Sequence, residues 1–379
     1  MGFFSQLGRD MKSLVSGIFG DKPNTYEDRK GGKADAKASA TRKLQVKEVV
    51  KETADAISMV LVDPSGAPIR FEAGQFFTIV RHIDGKDVRR AYSASSPASV
   101  TSEVRLTVKA VPNGLVSPNL VQTLAAGETI EVAGPSGNFT VPRARKHLTL
   151  IGGGSGITPL MSIARTHLAA DPTIKIDLVY GNRGEADIIF KDALDALVGE
   201  HTGRFTVRHV LEQESPRATR VGRLDRQTVL TLLDESKAFE DPTSMFFVCG
   251  PVGMMDEARA ALESRKIAAN RFKEERFVSP GEGGAAGSTE PQNVEVVMHG
   301  DKHHLVVNPG TTILEAAQDA GVDMPFSCTV GGCASCRVKL VSGKVALGEP
   351  NCLDPDEKAD GYILACVSKP LGPCVVEVE

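Results

Sequence analysis

Four cysteines near the end of the chain, Cys328, Cys333, Cys336 and Cys366, carry its clearest chemistry. The first three follow C-x4-C-x2-C and the fourth lies about thirty residues on, a spacing that sets four thiolates around a [2Fe–2S] cluster. A structural zinc ion is the competing use of four thiolates, but zinc sites usually pair their cysteines as C-x2-C knuckles. A cluster of this kind moves one electron at a time, so the rest of the chain must supply or accept electrons. Gly331 and Gly332 let the backbone wrap the sulfides, and the loop N–H groups tune the potential. Cys352 and Cys374 fall outside the spacing and read as structural thiols.

Upstream, Leu148-Thr149-Leu150-Ile151 runs into Gly152-Gly153-Gly154-Ser155-Gly156-Ile157-Thr158-Pro159. A buried strand, a glycine turn and a helix with proline in its first turn make a cradle for a phosphate, or simply a structural turn. Pro159 stands where a dinucleotide fingerprint has its third glycine. Arg90-Ala91-Tyr92-Ser93 offers a guanidinium for phosphate, a ring for packing and a hydroxyl. Gly114-Leu115-Val116-Ser117 precedes an expected helix and reads as a second phosphate loop or a plain cap. Cys249-Gly250-Pro251 ends another buried strand, at the end that faces ligands in open α/β sheets. Glu275-Arg276-Phe277 closes the same region.

The elements that must position these groups fall into blocks. Residues 1–20 place Phe3, Phe4, Leu7, Met11, Leu14, Val15, Ile18 and Phe19 on one helical face. That segment is too short and charged to span a bilayer and lacks a signal-peptide cleavage pattern. Residues 21–41 are polar and expected to be disordered, so 1–41 forms a helix-plus-linker leader. From 42 to 144, short β runs between Gly, Pro and Asp turns predict an antiparallel barrel. From 145 to 280, buried strands alternate with helical stretches, which predicts a parallel-sheet α/β domain. Residues 281–291 (GEGGAAGSTEP) read as a flexible linker. A compact unit, 292–379, holds the cysteines and carries 6 basic against 12 acidic residues.

Over 379 residues, 41% hydrophobic and 24% charged content describes ordinary globular protein with room for two or three domains. A net charge of -4 gives no sign of nucleic-acid binding. Seven cysteines without a secretory pattern point to a reducing, cytoplasmic compartment, with the first helix allowing a peripheral place at the inner face of a membrane.

The order RxYS, GxxS, GGGSGITP, YGNR, CGP, ERF over about 42–280 resembles the ferredoxin–NADP reductase superfamily. Residues 292–379, including Pro325-Phe326-Ser327-Cys328 and Ile363-Leu364-Ala365-Cys366, resemble a plant-type ferredoxin. The domain order is similar to that of phenylacetyl-CoA epoxidase reductase subunits and related oxygenase and desaturase reductases. The resemblance implies a flavin barrel, an α/β nucleotide domain and a β-grasp ferredoxin domain. It implies that Arg90, Ala91, Tyr92 and Ser93 hold the flavin, that Val108, Lys109 and Ala110 run along it, and that Gly114, Leu115, Val116 and Ser117 take its pyrophosphate. The GxxS form then argues for FAD over FMN. Gly154, Gly156 and Thr158 would line the pyridine-nucleotide site, with Cys249 and Glu275 beside the nicotinamide and Gly250 and Pro251 among the cofactor-binding residues. Ser93, Cys249 and Glu275 form the expected catalytic set. Asn182 and Arg183 fall where the family meets the adenosine ribose; an arginine there favours NADPH over NADH or is a solvated loop residue.

A flavin joins a two-electron donor to a one-electron acceptor, so the expected path is NAD(P)H to FAD to [2Fe–2S] to an external protein. The expected partner is an oxygenase, hydroxylase or desaturase, with the first helix docking on it or on a membrane. A redox sensor or scaffold is the alternative from another class.

Overall fold

The computed structural model describes residues 41–378, apart from 84, 143–144, 278–285, 350 and 354. The amphipathic segment 1–20, nearly all of the polar segment that follows, and much of the expected linker lie outside the described residues.

The first sheet contains β1 (Arg42–Lys51), β2 (Ala56–Val62), β3 (Phe76–Ile83), β4 (Lys86–Ser93), β5 (Val104–Lys109) and β6 (Thr129–Ser136). Its order is β4-β3-β6-β1-β2-β5, and every pairing is antiparallel. A bridge from Ala94 to Leu106 links the end of β4 back to β5 and closes the sheet into the expected barrel. Inward residues such as Leu44, Met59, Ile79, Leu106 and Val132 form its core. A short helix, α1 (Ser117–Thr123), covers one end of it.

The second sheet contains β7 (His147–Gly153), β8 (Lys175–Asn182), β9 (Phe205–Leu211), β10 (Ala218–Val221), β11 (Met245–Cys249) and β12 (Phe272–Glu275). Its order is β10-β9-β8-β7-β11-β12, all parallel. The chain runs outward from β7 in one direction, then returns to β11 on the other side. The crevice at the C-terminal ends of β7 and β11 is therefore a topological switch point, the ordinary place for a ligand in such sheets. Helices α2 (Ile157–Ala170), α3 (Lys191–Glu200), α4 (Arg226–Glu235) and α5 (Val252–Ser264) make the crossovers and cover the faces. α2 buries Ile157, Leu160, Met161, Ile163 and Leu168, each contributing ~1.5–3 kcal/mol of apolar burial.

The third sheet contains β13 (Gln292–Met298), β14 (Asp301–Val307), β15 (Arg337–Ser342), β17 (Tyr362–Leu364) and β19 (Cys374–Val378), in the order β14-β13-β19-β15-β17. β16 (Val345–Leu347) and β18 (Ser368–Pro370) form a separate ribbon. Helix α6 (Ile313–Asp319) packs on this sheet, giving the β-grasp arrangement. Its start is written locally. Thr312 Oγ1 accepts from Glu315 N at 3.2 Å and Glu315 Oε2 accepts from Thr312 N at 2.8 Å, a capping box worth ~1 kcal/mol. A last short helix, α7 (Pro355–Ala359), follows the ribbon strand β16.

The barrel and the parallel sheet are tied by directed bonds. From α2, Ser162 Oγ donates to Ser96 O at 2.8 Å, Arg165 Nη1 donates to Ser95 O at 2.9 Å, and Thr166 Oγ1 accepts from Ala98 N at 2.9 Å. Lys273 donates to Asn138 O and Thr140 O at 2.7 and 2.9 Å, and Phe139 packs edge-on against Phe247.

Candidate redox site

A cavity of about 1170 Å³ lies where the three sheets meet. Arg90, Ala91, Tyr92 and Ser93 from β4, Lys109 at the end of β5 and the loop Gly114–Ser117 line its barrel side. Gly153–Ser155, Thr158, Gly250, Pro251 and Glu275 line its nucleotide side. Val330, Gly331, Gly332, Asn351 and Cys352 close it from the cysteine-bearing unit.

The expected residues are mostly gathered here. Val108 is not: it is fully buried in the barrel core, because period-two alternation turns it inward while its neighbour Lys109 faces the cavity. Lys109 pairs with Asp55 at 3.5 Å. Ala110 lies just past β5, its N–H donating to Asp55 O, and does not line the cavity. Cys249 also lies behind the wall, fully buried, with burial and then the Glu275 charge holding its thiol far above the ordinary range. Asn182 ends β8 and Arg183 follows it, both outside the cavity wall; the Arg183 side chain is 63% exposed, bonded to Asp187 and 3.6 Å from Asp55.

Glu275 is the register partner of Cys249 across β11 and β12. It accepts a 3.0 Å hydrogen bond from Ser93 Oγ. Burial raises its carboxyl from 4.5 to about 7, and the Ser93 bond pulls in the other direction without overcoming it.

The glycine loop has two different requirements. A Cβ on Gly156 would meet Cys249 O at 2.1 Å, so only glycine lets α2 approach β11 this closely. Gly154 has φ +52° and nothing within 4 Å of a Cβ position, which leaves an open cradle at the cavity wall for a phosphate. Tyr180, fully buried in β8, donates from its hydroxyl to Gly154 O at 2.9 Å and fixes the loop. Arg90 donates to Arg89 O and forms no ion pair among the described residues, so its remaining donors are open to an anion. These features fit a dinucleotide and a flavin carrying phosphates.

The four cysteines are buried and free of disulfides. They lie close enough to act on one another: Cys333 holds the Cys328 thiol up, and Cys336 the Cys366 thiol, each ahead of burial. Among the described residues no group of three or more His, Cys, Asp or Glu side chains is placed around a single ion. Four buried thiols in this spacing, with backbone N–H groups turned toward their sulfurs, fit a [2Fe–2S] cluster. The loop turns through left-handed residues at Thr329, Gly331 and Ala334. Gly332 N–H and Val330 N–H donate to Cys328 Sγ at 3.3 and 3.5 Å, and Cys328 N–H to Cys333 Sγ at 3.5 Å. Ser327 Oγ, in a residue 1% exposed, has no partner among the described residues, and an acceptor such as sulfide would complete it.

Phe76 was not singled out by any motif. It lies in the run FFTIVRHI, whose alternation marks a strand but not what the strand faces. Its ring packs with Cys328 and Cys333, with Ala91 and Val330 alongside, and also lines the cavity. Cys352, read as a structural thiol, is half-buried at the same wall, with burial pushing it up to about 12.

Fold and site together define a pyridine-nucleotide-dependent flavin and iron–sulfur oxidoreductase. Residues 42–141 match the oxidoreductase FAD-binding domain, 150–260 the oxidoreductase NAD-binding domain and 296–371 the 2Fe-2S iron-sulfur cluster binding domain. The chain is 33% identical over 346 residues to a subunit of the 1,2-phenylacetyl-CoA epoxidase of Escherichia coli (strain K12), covering 88% of this chain and 96% of that one. It is 33% identical over 344 residues to the ferredoxin reductase component of 3-ketosteroid-9-alpha-monooxygenase from Rhodococcus rhodochrous, covering 86% and 94%. The solved structure of phthalate dioxygenase reductase superposes with a TM-score of 0.63 at 26% identity, covering 93% of this chain and all of that one. This chain belongs to the ferredoxin-reductase-type oxidoreductases that join FAD-, NAD- and 2Fe-2S-binding domains. It is an NAD(P)H-dependent oxidoreductase, and its cofactors are FAD and a [2Fe–2S] cluster.

Proposed function

We propose that this chain is the reductase component of an oxygenase system, taking electrons from NAD(P)H and delivering them singly to an oxygenase, hydroxylase or desaturase. The observation that carries this reading is the shared cavity, whose walls include Ser93, Gly154, Glu275 and the cysteine loop at Gly331–Gly332. The relatives' roles as epoxidase and monooxygenase components support the choice of partner. The division into 42–144, 145–280 and 292–379 gives each cofactor its own unit.

When bound, the flavin accepts an electron pair from the nicotinamide and the iron–sulfur group accepts electrons one at a time. The chain supplies position and charge. Arg90 and the loop Gly114–Ser117 hold flavin phosphates, with Ala91, Tyr92 and Lys109 beside the rings. Gly154 and Thr158 receive the pyridine nucleotide, and Gly156 lets the strand and helix close behind it. Gly250 and Pro251 form the nicotinamide wall, backed by Cys249. Glu275 carries a negative charge where the nicotinamide becomes cationic, and Ser93 orients that carboxylate. Cys328, Cys333, Cys336 and Cys366 would hold the iron–sulfur group.

NADPH is the preferred donor in this reading, because Arg183 presents an exposed guanidinium at the end of β8, the family's ribose position. Arg183→Ala should raise the KM for NADPH more than that for NADH; equal changes would remove the preference. Residues 1–20 dock on the partner or an anionic membrane at the cytoplasmic face. Their deletion should leave dye reduction intact and weaken that association. Among the described residues no helix is long and apolar enough to cross a membrane.

The test of the electron path is NAD(P)H-driven reduction of cytochrome c by wild type and Cys336→Ser. The variant should lose the cluster signal and cytochrome c reduction while ferricyanide reduction persists. Full cytochrome c reduction without the cluster would sink the path.

A further inference from the structure

The cysteine loop meets the barrel through one small seat. Phe76 and Ala91 of the barrel pack against Cys328, Cys333 and Val330, and a Cβ on Gly332 would touch Phe76 Cζ at 3.5 Å. Beside them Arg89 of β4 lies over the Phe326 ring, 5.0 Å from its centroid. The contrast with the barrel's other neighbour is chemical. The parallel sheet is fastened to the barrel by directed hydrogen bonds that Ser162, Arg165 and Lys273 donate and Thr166 accepts. The seat under the cysteine loop is apolar, and its one charged group is poorly satisfied. Arg89 Nη1 is buried without a hydrogen-bond partner, Arg89 forms no ion pair within 4.0 Å among the described residues, and the charges of Glu131 and Asp87 only partly offset its burial.

Two consequences follow. The Cys328–Cys333 pair is the pair packed against the barrel, while Cys336 and Cys366 sit in the core of their own unit. An external acceptor therefore cannot reach the Cys328–Cys333 side while the seat is occupied. In the seated state Arg89 has its ring contact with Phe326 but holds Nη1 buried away from water. Desolvating a charged donor outweighs a single cation–π contact, so Arg89 on balance opposes seating.

We infer that one face of the cysteine-bearing unit, built from Phe326, Val330 and Gly331–Gly332, serves both to receive and to deliver electrons. It seats on Phe76 and Ala91 to receive them and leaves to meet the acceptor. Arg89 is the positioning residue that keeps the seat weak enough to open. This inference rests on the electron path proposed above.

The test uses the full-length protein carrying both cofactors, with variants Arg89→Met and Phe326→Leu. Arg89→Met keeps an apolar stem and removes the unsatisfied charge. Amide hydrogen exchange at Val330–Gly332 should slow several-fold in Arg89→Met. Single-turnover reduction of the cluster by NAD(P)H should be unchanged or faster, while steady-state cytochrome c reduction falls several-fold. Phe326→Leu should speed exchange at the same amides. Faster exchange in Arg89→Met would show that Arg89 fastens the seat and would overturn the proposal. Undiminished cytochrome c reduction in a variant with slowed exchange would place delivery on another face and overturn it too. Loss of FAD in Arg89→Met would make Arg89 a flavin ligand, again against the proposal. If NAD(P)H reduces the flavin but never the cluster in wild type, the underlying path fails instead.

Discussion

Ser93 at the end of β4 and Glu275 at the end of β12 are 182 positions apart and joined by a 3.0 Å hydrogen bond. The bond spans the barrel and the parallel sheet at the wall of the cavity they share. It puts a titratable carboxylate where two redox partners must meet.

That carboxylate should shape the pH dependence of the reductive step. Glu275 is raised to about 7 by burial, so it is half-ionised near neutrality. An anionic neighbour stabilises the positive charge that develops as a dihydronicotinamide is oxidised. Flavin reduction by NAD(P)H, followed by stopped flow, should therefore speed up as pH rises through about 7. Glu275→Gln should be slower by at least ~10-fold above that pH and should lose the inflection. An unchanged profile would show that the carboxylate has no such part.

The same group should cost stability in alkali. The unfolded chain releases this proton near 4.5, and the folded chain keeps it until about 7. Its contribution to stability is full below 4.5, declines as pH rises and is gone above about 7. Glu275→Gln cannot ionise. Urea unfolding should show it gaining about 2 kcal/mol more over wild type near pH 8 than near pH 5. Equal gains at both would mean that the folded carboxyl titrates like the unfolded one.

The glycines of the phosphate loop should separate fold from binding. Gly156→Ala forces a Cβ against Cys249 O and should lower the melting temperature steeply or prevent folding. Gly154→Ala meets no atom but must hold φ +52°, a cost of about 1 kcal/mol. Its melt should move little while the KM for NAD(P)H rises severalfold. Similar melts for the two variants would contradict the close approach at Gly156.

Ser327→Ala should lower the cluster's reduction potential. The buried hydroxyl has no protein acceptor among the described residues, and a donor to sulfide favours the more negative, reduced state. A redox titration followed by electron paramagnetic resonance should show a fall of some tens of millivolts with the cluster content unchanged. No shift would place the hydroxyl away from the cluster.

Much of this architecture is written locally. The cysteine spacing lies within one loop plus one short turn after β17, so the pattern of residue types already encodes a four-thiolate cluster site. The runs HLTLIGG and SMFFVCG announce β7 and β11, because a strand buried on both faces is a continuous apolar stretch. TPLMSIARTHLAA announces α2 in the same way. The short strands β10 and β12 carry no such run, with half-exposed or exposed residues throughout, and were not apparent.

What only the tertiary structure decided is contact between distant segments. Nothing in the spacing of Arg89 and Phe326, of Phe76 and Cys328, or of Tyr180 and Gly154 shows that each pair meets. Val108 shows the converse, a residue that motif order places on the flavin and strand alternation turns into the barrel core. Local patterns record which face of an element is apolar, and that follows from the side chains themselves. Which faces meet is set by the packing angles and solvation of whole sheets, and no short window of residues contains that information.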